Sequence, residues 1–300
     1  MEVQKDRNNL TGRAITLGNF DGVHLGHQAL LQKTTSLANS DQLNSLALTY
    51  HPNPAIVLGK KTDFTYLQSL ESRIQNILSY GIQEVEVLPF TRELSEMEAE
   101  DFLANILLKK FHAKHIIIGY NHCFGKNRRG NFELLQSLSN QFDYKVTQVE
   151  PVFAGELKIS SSLIREFLKN GDLANTKICL GRNYSLEGTV VEGRKEGRKL
   201  GYPTANLSIP QDLVKPGKAV YATLANGRPS MTNVGTKPTF GDDTLTIETH
   251  IFDTKEDLYG TKIKLDFIQK VREVEKFPSL EALIQQLSRD EVTSRKIFSK

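Results

Sequence analysis

Tryptophan is absent, and the 300 residues include only two cysteines and three methionines. Cys123 and Cys179 are too few for a disulfide framework or a cysteine-rich zinc site. No apolar run approaches the roughly 18 residues that a membrane-spanning helix needs. The opening stretch, MEVQKDRNNLTGR, lacks the apolar centre of a secretory signal. These absences predict a reduced, cytoplasmic protein with no membrane partner. Charge of one sign is also lacking: 38 Lys and Arg face 35 Asp and Glu, a net of +3. That small excess gives no ground for a nucleic-acid partner and suits anionic small substrates. Repeats, low-complexity tracts and long polar linkers are missing too.

A composition 39% hydrophobic and 24% charged supports a sizeable core and excludes global disorder. The length allows one large domain or two ordinary ones. The first part alternates short apolar runs with helical patterns. AITLGNF (14–20), LALTY (46–50), VEVLPF (85–90) and HIIIGY (115–120) read as strands. Helices are expected over His27–Ala38 and Ser69–Gly81, and after a capping box made by Ser95 and Glu98. This rhythm predicts a parallel sheet covered on both faces. Two helical segments, SSLIREFLKNG and DLANTKICLG, then end on Gly171 and Gly181.

Beyond Arg182 the segments turn β-branched and period-two: EGTVVEG, AVYATLA, SMTNVGT, LTIETHIF and KIKLDFIQKV. A small barrel closed by a helix from Ser279 to about Phe298 is expected, with Leu280, Leu283, Ile284 and Leu287 as an apolar stripe. The predicted class is therefore α/β plus all-β, with domains 1–182 and 183–300.

The first chemical constellation is Gly18-Asn19-Phe20-Asp21-Gly22-Val23-His24-Leu25-Gly26-His27. A strand ends, glycines turn the chain, and a helix begins. Its free N–H groups and positive dipole end make an anion site. Histidines three apart can face one way and donate to phosphate oxygens. Gly26 would let a nucleotide approach the backbone. A metal-binding pair or a plain surface turn are the alternatives at this point. The second constellation, Ile159-Ser160-Ser161-Ser162-Leu163-Ile164-Arg165, puts serines at a helix start. Ser160 and Ser161 can cap the helix or hold phosphate, and Arg165 would reach a phosphate from the first turn.

In the second half, Gly193-Arg194-Lys195-Glu196-Gly197-Arg198-Lys199-Leu200-Gly201 is glycine-rich and basic. It reads as a phosphate loop, a solvated hairpin tip or a nucleic-acid patch. Thr204 and Asn206 of Pro203-Thr204-Ala205-Asn206 share a strand face, and such hard oxygens suit Mg²⁺ on phosphates. Glu248 and His250 alternate against Ile247, Thr249 and Ile251. A carboxylate there can take a proton from an attacking hydroxyl. A surface strand acid is the plain alternative for Glu248.

Together the motifs resemble the HxGH/ISSTxxR nucleotidyltransferases. The run GNFDGVHLGHQALL, followed in order by TYHPNP, LPFT, GYNHCFGKNRRGN and ISSSLIR, resembles the bacterial bifunctional riboflavin kinase/FMN adenylyltransferases, or FAD synthetases. The likeness runs on through GRNYSLEGTVVEGRKEGRKLGYPTAN, NVGTKPTF, ETHIFDTKEDLYG and KFPSLEAL. It implies a Rossmann-like adenylyltransferase domain followed by a riboflavin kinase barrel. It implies riboflavin, FMN and ATP as substrates, FAD and pyrophosphate as products, and Mg²⁺ as the cofactor.

The same resemblance assigns roles. Gly18, Asn19, Phe20, Asp21, Gly26, Ser160 and Ser161 would bind ATP in the first domain, with His24, His27 and Arg165 catalytic. Gly193, Arg198, Gly201 and Thr204 would bind ATP in the second. Thr204 and Asn206 would hold the metal, and Glu248 would be the base. Asn121 and Arg272 would contact flavin. The chain departs from the family pattern at Asn121-His122, Ser162-Leu163, His51 and Asn53. Two other readings stay open: a riboflavin kinase with a weakened adenylyltransferase, and a non-catalytic flavin-sensing or RNA-binding module.

Overall fold

The computed structural model describes residues 12–59, 63–193, 197, 200–236, 245–254 and 256–299. Among these, residues up to Phe64 group with Ser69–Ile159, and Thr65–Gln68 group with the chain from Ser160 onward.

The first unit is built on five parallel strands: β1 (Arg13–Leu17), β2 (Asn44–His51), β3 (Glu84–Pro89), β4 (Ala113–Gly119) and β5 (Lys145–Val149). Their order is β3-β2-β1-β4-β5. The helices are α1 (Leu25–Ser40), α2 (Pro54–Val57), α3 (Leu70–Leu78), α4 (Arg92–Glu96), α5 (Ala99–Asp101) and α6 (Phe132–Phe142). A short hairpin follows, β6 (Phe153–Ala154) with β7 (Leu157–Lys158). Alternation along the strands splits the core into two layers, one per face. Ile15, Leu17, Leu46, Leu48, Ile116 and Ile118 pack with Phe102, Leu107 and Leu135. Ala14, Ala47 and Ile117 pack with Leu31 and Ile77. Continuous apolar strands covered on both faces are what a parallel sheet requires.

The capping box expected at Ser95 and Glu98 does not form. Thr91 caps α4 instead, its hydroxyl accepting from Leu94 N at 3.1 Å. Ser95 already lies inside α4 and bonds back to the Arg92 carbonyl at 2.7 Å. Glu98 is itself the N-cap of α5 and makes no side-chain capping bond. The segment continues as a π-helix over Phe102–Lys110.

The second unit opens with α7 (Ser161–Lys169) and α8 (Leu173–Leu180). Six antiparallel strands then close a barrel: β8 (Tyr184–Val191), β9 (Ala205–Ser208), β10 (Ala219–Ala225), β11 (Arg228–Thr236), β12 (Leu245–Ile251) and β13 (Lys262–Glu273). They are ordered β10-β11-β12-β9-β8-β13. The barrel interior carries a run of buried hydroxyls. Thr223 meets Ser230 at 2.8 Å and Thr232 at 2.7 Å, and Thr232 meets Thr249 at 2.9 Å. Each satisfies its neighbour, which is how polar groups survive in a core.

Helix α8 packs on β8 and β13, and Gly217 N bonds the Leu168 carbonyl at 2.8 Å. The two helices before residue 182 thus pack with the barrel, although the change of sequence periodicity comes after them. Thr65–Gln68 joins this unit as well. Tyr66 N bonds Asp212 O at 2.6 Å, and Val214 N bonds Tyr66 O at 2.9 Å.

The terminal helix α9 (Leu280–Phe298) is capped by Ser279, whose Oγ accepts from Ala282 N at 3.2 Å. Half of its expected apolar stripe turns inward: Leu283 and Leu287 are half-buried. Leu280 and Ile284 are exposed, whereas Asp290 and Ser294 are buried. Arg272 of β13 grips Asp290 with Nε at 2.9 Å and Nη2 at 2.7 Å. The Arg272–Asp290 ion pair fixes the buried side of the helix together with the half-buried Leu283 and Leu287.

Candidate active sites

In the first unit, the turn after β1 is held in costly backbone. Phe20, Gly22 and Val23 have φ of 48°, 86° and 38°. A β-branched residue at positive φ is a genuine outlier, and such strain gathers at functional sites. Two features hold the turn. Phe20 is fully buried. The Asn19 carbonyl accepts from Arg73 Nη1 at 2.8 Å and from Thr49 Oγ1 at 3.1 Å. Asp21 is buried as well.

His24 is the N-cap of α1, and its Nδ1 accepts from His27 N at 3.3 Å. The two imidazoles stack with centroids 3.7 Å apart and planes 14° apart. Phe20 meets the His27 ring edge-on at 5.3 Å. Gly26 was expected to let a nucleotide close in. Its bare Cα also seats the His24 ring, because a Cβ would lie 3.2 Å from His24 Cε1. Burial, then the charges of His24 and Arg73, hold His27 well below the ordinary imidazole value. Its Nδ1 is enclosed without a hydrogen-bond partner among the described residues.

Arg73 was not anticipated. It is 1% exposed and lies directly under the turn. A signal existed: in LESRIQNIL it stands four residues before the buried Ile77, on the inward helix face.

After β4, Tyr120, Asn121 and His122 leave the sheet beside the β1 turn. Asn121 is exposed. His51 ends β2, and Asn53 caps α2 by accepting from Ala55 N at 2.9 Å.

In the second unit, Ser160 caps α7, its hydroxyl accepting from Leu163 N at 3.2 Å. Ser161 is the first residue of that helix. Arg165 stands in the second turn, not the first, and its Nε donates to the Thr65 carbonyl at 2.7 Å.

An open cleft enters the barrel wall. Gly193, Gly197, Thr204 and Asn206 line it, opposite Glu256 and Asp257. The two acids were not singled out from sequence, although they lie within the quoted FDTKEDLYG stretch. Arg228 holds Glu256 at 3.0 Å. A Cβ on Gly193 would sit 2.2 Å from Asn206 Nδ2, and one on Gly197 would sit 2.3 Å from Tyr202 O. The loop glycines therefore make the space in which Thr204 and Asn206 lie. Gly201, at φ +82°, is an exposed turn residue. Arg198 and the other basic residues of the loop lie outside the described residues.

β12 alternates as expected, with Ile247, Thr249 and Ile251 buried and Glu248 and His250 half-buried. Glu248 stands opposite Asn206 of β9 on one side and Asn233 of β11 on the other. Directly opposed residues share a face, so the three form a polar row beside the cleft. Glu248 itself is not a cleft-lining residue. His250 Nδ1 donates to the Pro203 carbonyl at 2.7 Å, pinning the approach to β9; Thr204, expected to share a strand face with Asn206, stands just before that strand begins at Ala205. Arg272 is engaged with Asp290 and lies over the Phe277 ring at 5.4 Å. Among the described residues no cluster of three His, Cys, Asp or Glu side chains is arranged to hold a metal alone.

Comparison with known proteins agrees with these two halves. The family model described as FAD synthetase matches residues 6–163, and that described as riboflavin kinase matches residues 180–298. Proteins named bifunctional riboflavin kinase/FMN adenylyltransferase are similar along the chain. The one from Listeria monocytogenes is 35% identical over 96% of this chain and 93% of its own length. Those from Haemophilus influenzae and Escherichia coli K12 are 34% and 32% identical, over 97% and 96% of this chain and 96% and 93% of their own. A crystal structure of a Streptococcus pneumoniae chain named a macrolide-efflux protein superposes with TM-score 0.87 at 30% identity, covering 95% of this chain and 94% of that one. Among the described residues, no helix here is long and apolar enough to cross a membrane. With two family models matched one after the other along the chain, and relatives alike over nearly the full length, the chain belongs to the bifunctional riboflavin kinase/FMN adenylyltransferase family.

Proposed function

We propose that the barrel unit transfers the γ-phosphoryl group of ATP to riboflavin, and that the parallel-sheet unit then transfers AMP from a second ATP to the resulting FMN. The products are FAD and pyrophosphate. The observation that carries this reading is that each unit has a phosphate-type site of its own. One is the strained turn with its stacked histidines, and the other is the glycine-spaced cleft with Thr204 and Asn206.

In the kinase step, the riboflavin 5′-hydroxyl oxygen attacks the γ-phosphorus and ADP leaves. Glu248 takes the hydroxyl proton. Gly193, Arg198, Gly201 and Thr204 place the nucleotide. Thr204 and Asn206 offer hard oxygens in a space that a Cβ at Gly193 would fill, which fits a Mg²⁺ shared with phosphates. When bound there, that ion would neutralise charge on the transferring phosphate. Arg272, locked by Asp290, frames the flavin end of the barrel.

In the adenylyl step, an FMN phosphate oxygen attacks the α-phosphorus in line, and pyrophosphate departs without a covalent enzyme intermediate. Gly18, Asn19, Phe20, Asp21 and Gly26 supply the backbone cradle, with Ser160 and Ser161 at a second helix start. His24, His27 and Arg165 stabilise the charge that develops. Asn121 faces the flavin. We assign adenylylation to residues 1–182 and phosphorylation to 183–300, in a cytoplasmic enzyme whose partners are these small molecules.

A second reading, kinase activity with a weakened adenylyltransferase, is favoured by one observation: His122, in the loop after β4, is a half-buried imidazole whose pKa desolvation lowers to about 4. Incubation with riboflavin and Mg-ATP, followed by separation of riboflavin, FMN and FAD, decides between them. FAD supports both steps, FMN alone supports the second reading, and unchanged riboflavin overturns both.

A further inference from the structure

The ladder between β12 and β9 stops early. It runs from Ile247 opposite Leu207 to Thr249 opposite Ala205. One step further, the same register would set His250 opposite Thr204 and Ile251 opposite Pro203. Proline has no N–H to give a ladder, so backbone pairing gains little there. The Pro203 carbonyl is taken by a side chain instead, with His250 Nδ1 2.7 Å away. A carbonyl only accepts, so Nδ1 carries the proton in that bond.

The same ring touches the loop that leads into Pro203. Tyr202 meets it edge-on with centroids 5.4 Å apart. Tyr202 N bonds the Gly197 carbonyl at 2.8 Å, and Gly197 lines the cleft. The His250 ring also packs on Phe252, at 5.7 Å and 61°. Arg295 of α9 lies over Phe252 at 4.5 Å and is itself held by Asp253 at 2.8 Å and Glu291 at 2.9 Å. His250 thus joins a braced part of the barrel to the segment that enters the cleft. Pro203 and Thr204 are exposed, so burial does not hold that segment in place.

Alternation puts Glu248 and His250 on one face of β12. Glu248 opposes Asn206 inside the ladder, and His250 holds the residue before Thr204 just beyond it. One strand therefore carries the proposed base and, two residues on, the group that ties down the proposed nucleotide and metal oxygens.

We infer that His250 is a positioning residue of the kinase reaction: its Nδ1–H fixes the Pro203 carbonyl, and with it the place of Thr204 relative to Glu248. This rests on reading the barrel as a riboflavin kinase. A segment left loose must be ordered when the nucleotide binds, so the loss falls on the KM for ATP and on the Mg²⁺ requirement, not on the KM for riboflavin.

The test uses the full chain. His250→Phe keeps a ring against Tyr202 and Phe252 and removes the donor. His250→Asn keeps a nitrogen donor on Cγ and removes the ring. In riboflavin phosphorylation by His250→Phe, the KM for ATP should rise about three- to tenfold, the scale of one neutral hydrogen bond. The Mg²⁺ concentration for half-maximal rate should rise with it. The KM for riboflavin and the kcat at saturating Mg-ATP should stay within about twofold. Adenylylation of supplied FMN should keep its KM for ATP. His250→Asn should recover most of the lost ATP affinity. An unchanged KM for ATP in His250→Phe, an equal rise for riboflavin, or no recovery in His250→Asn overturns the inference. If the unmodified chain makes no FMN, the kinase reading fails on its own. Calorimetric titration with Mg-ADP then still decides: one binding event should weaken in His250→Phe and recover in His250→Asn, and titrations that coincide for all three chains overturn the positioning role. Should His250→Phe not fold, ¹⁵N-histidine spectra of the unmodified chain give the answer. The imidazole signal that His250→Asn lacks must be that of an Nδ1–H ring, and an Nε2–H ring with a bare Nδ1 overturns the contact.

Discussion

His24 caps the helix that carries His27, and the two rings lie face to face at 3.7 Å. The cap takes the His27 backbone N–H and the stack takes its ring, so a change of the His27 side chain spares the cap whereas a change at His24 removes both.

His27→Ala removes an enclosed hydrogen-bond donor from growing negative charge. FAD formation from supplied FMN should fall about 10²–10³-fold, the usual scale for one preorganised donor. Alanine suits the helix interior, so the melting temperature should hold. His24→Ala should also lose about 1 kcal/mol of stability, because it deletes the cap. His24→Asn should restore that stability but not the activity. Loss of riboflavin phosphorylation in His27→Ala would mean that the chemistry has been assigned to the wrong unit.

Glu248→Gln keeps the side-chain shape between Asn206 and Asn233 and deletes the base. FMN formation should drop by roughly 10² or more. Adenylylation of supplied FMN, measured in the same preparation, should hardly change. Parallel loss of both activities would point to a folding defect.

Gly193→Ala places a methyl group 2.2 Å from Asn206 Nδ2. The end of a side chain can move aside, so the barrel should stay folded. The displaced Asn206 should weaken the metal–nucleotide site instead, raising the KM for ATP in the kinase reaction alone. Gly227→Ala, on a hairpin with φ +79° and open space around it, serves as the contrast: strain without displacement, and kinase constants unchanged.

Arg272→Ala leaves the carboxylate of Asp290, 2% exposed, without its guanidinium. Stranding one partner of a buried pair typically costs about 3–5 kcal/mol. Urea unfolding should show that loss, and the double change Arg272→Met with Asp290→Leu should recover much of it. A single-variant loss under about 1 kcal/mol would show the pair to be no more than a surface contact.

The first unit should weaken in acid. His122, with its pKa lowered to about 4, and His27, lowered in the same direction, stay neutral in the folded chain. Unfolded imidazole takes up a proton near pH 6.5. The unfolded state therefore binds more protons below that pH, and stability declines as the pH falls from 6.5 toward 4. His122→Phe should flatten that decline when melting temperatures are compared across the range.

Local signals told most about the strands. Unbroken apolar runs such as HIIIG (115–119) and alternating ones such as LTIETHI (245–251) announced the sheet and the barrel, because burial on two faces or one writes itself into every second residue. The GNFDGVHLGH turn was equally readable. Contacts made across long sequence separations were not. Leu280 and Ile284 look like a docking stripe, yet a partner eighteen residues before Asp290 helps to decide which side of α9 faces in. Arg73 supports the turn at Asn19 from 54 residues away. In the capping box, two overlapping local patterns competed, and Thr91 was placed to close the turn first.

The pairing of Tyr66 with Asp212–Val214 also bears on the order in which the chain is made. At about 5–20 residues per second, roughly 7–30 s of synthesis separate the emergence of that tyrosine from the emergence of its partners. The parallel sheet can be complete through β5 by then, while Thr65–Gln68 still waits. Ribosome-stalled chains ending before and after residue 214, probed by limited proteolysis near Tyr66, would show when the wait ends.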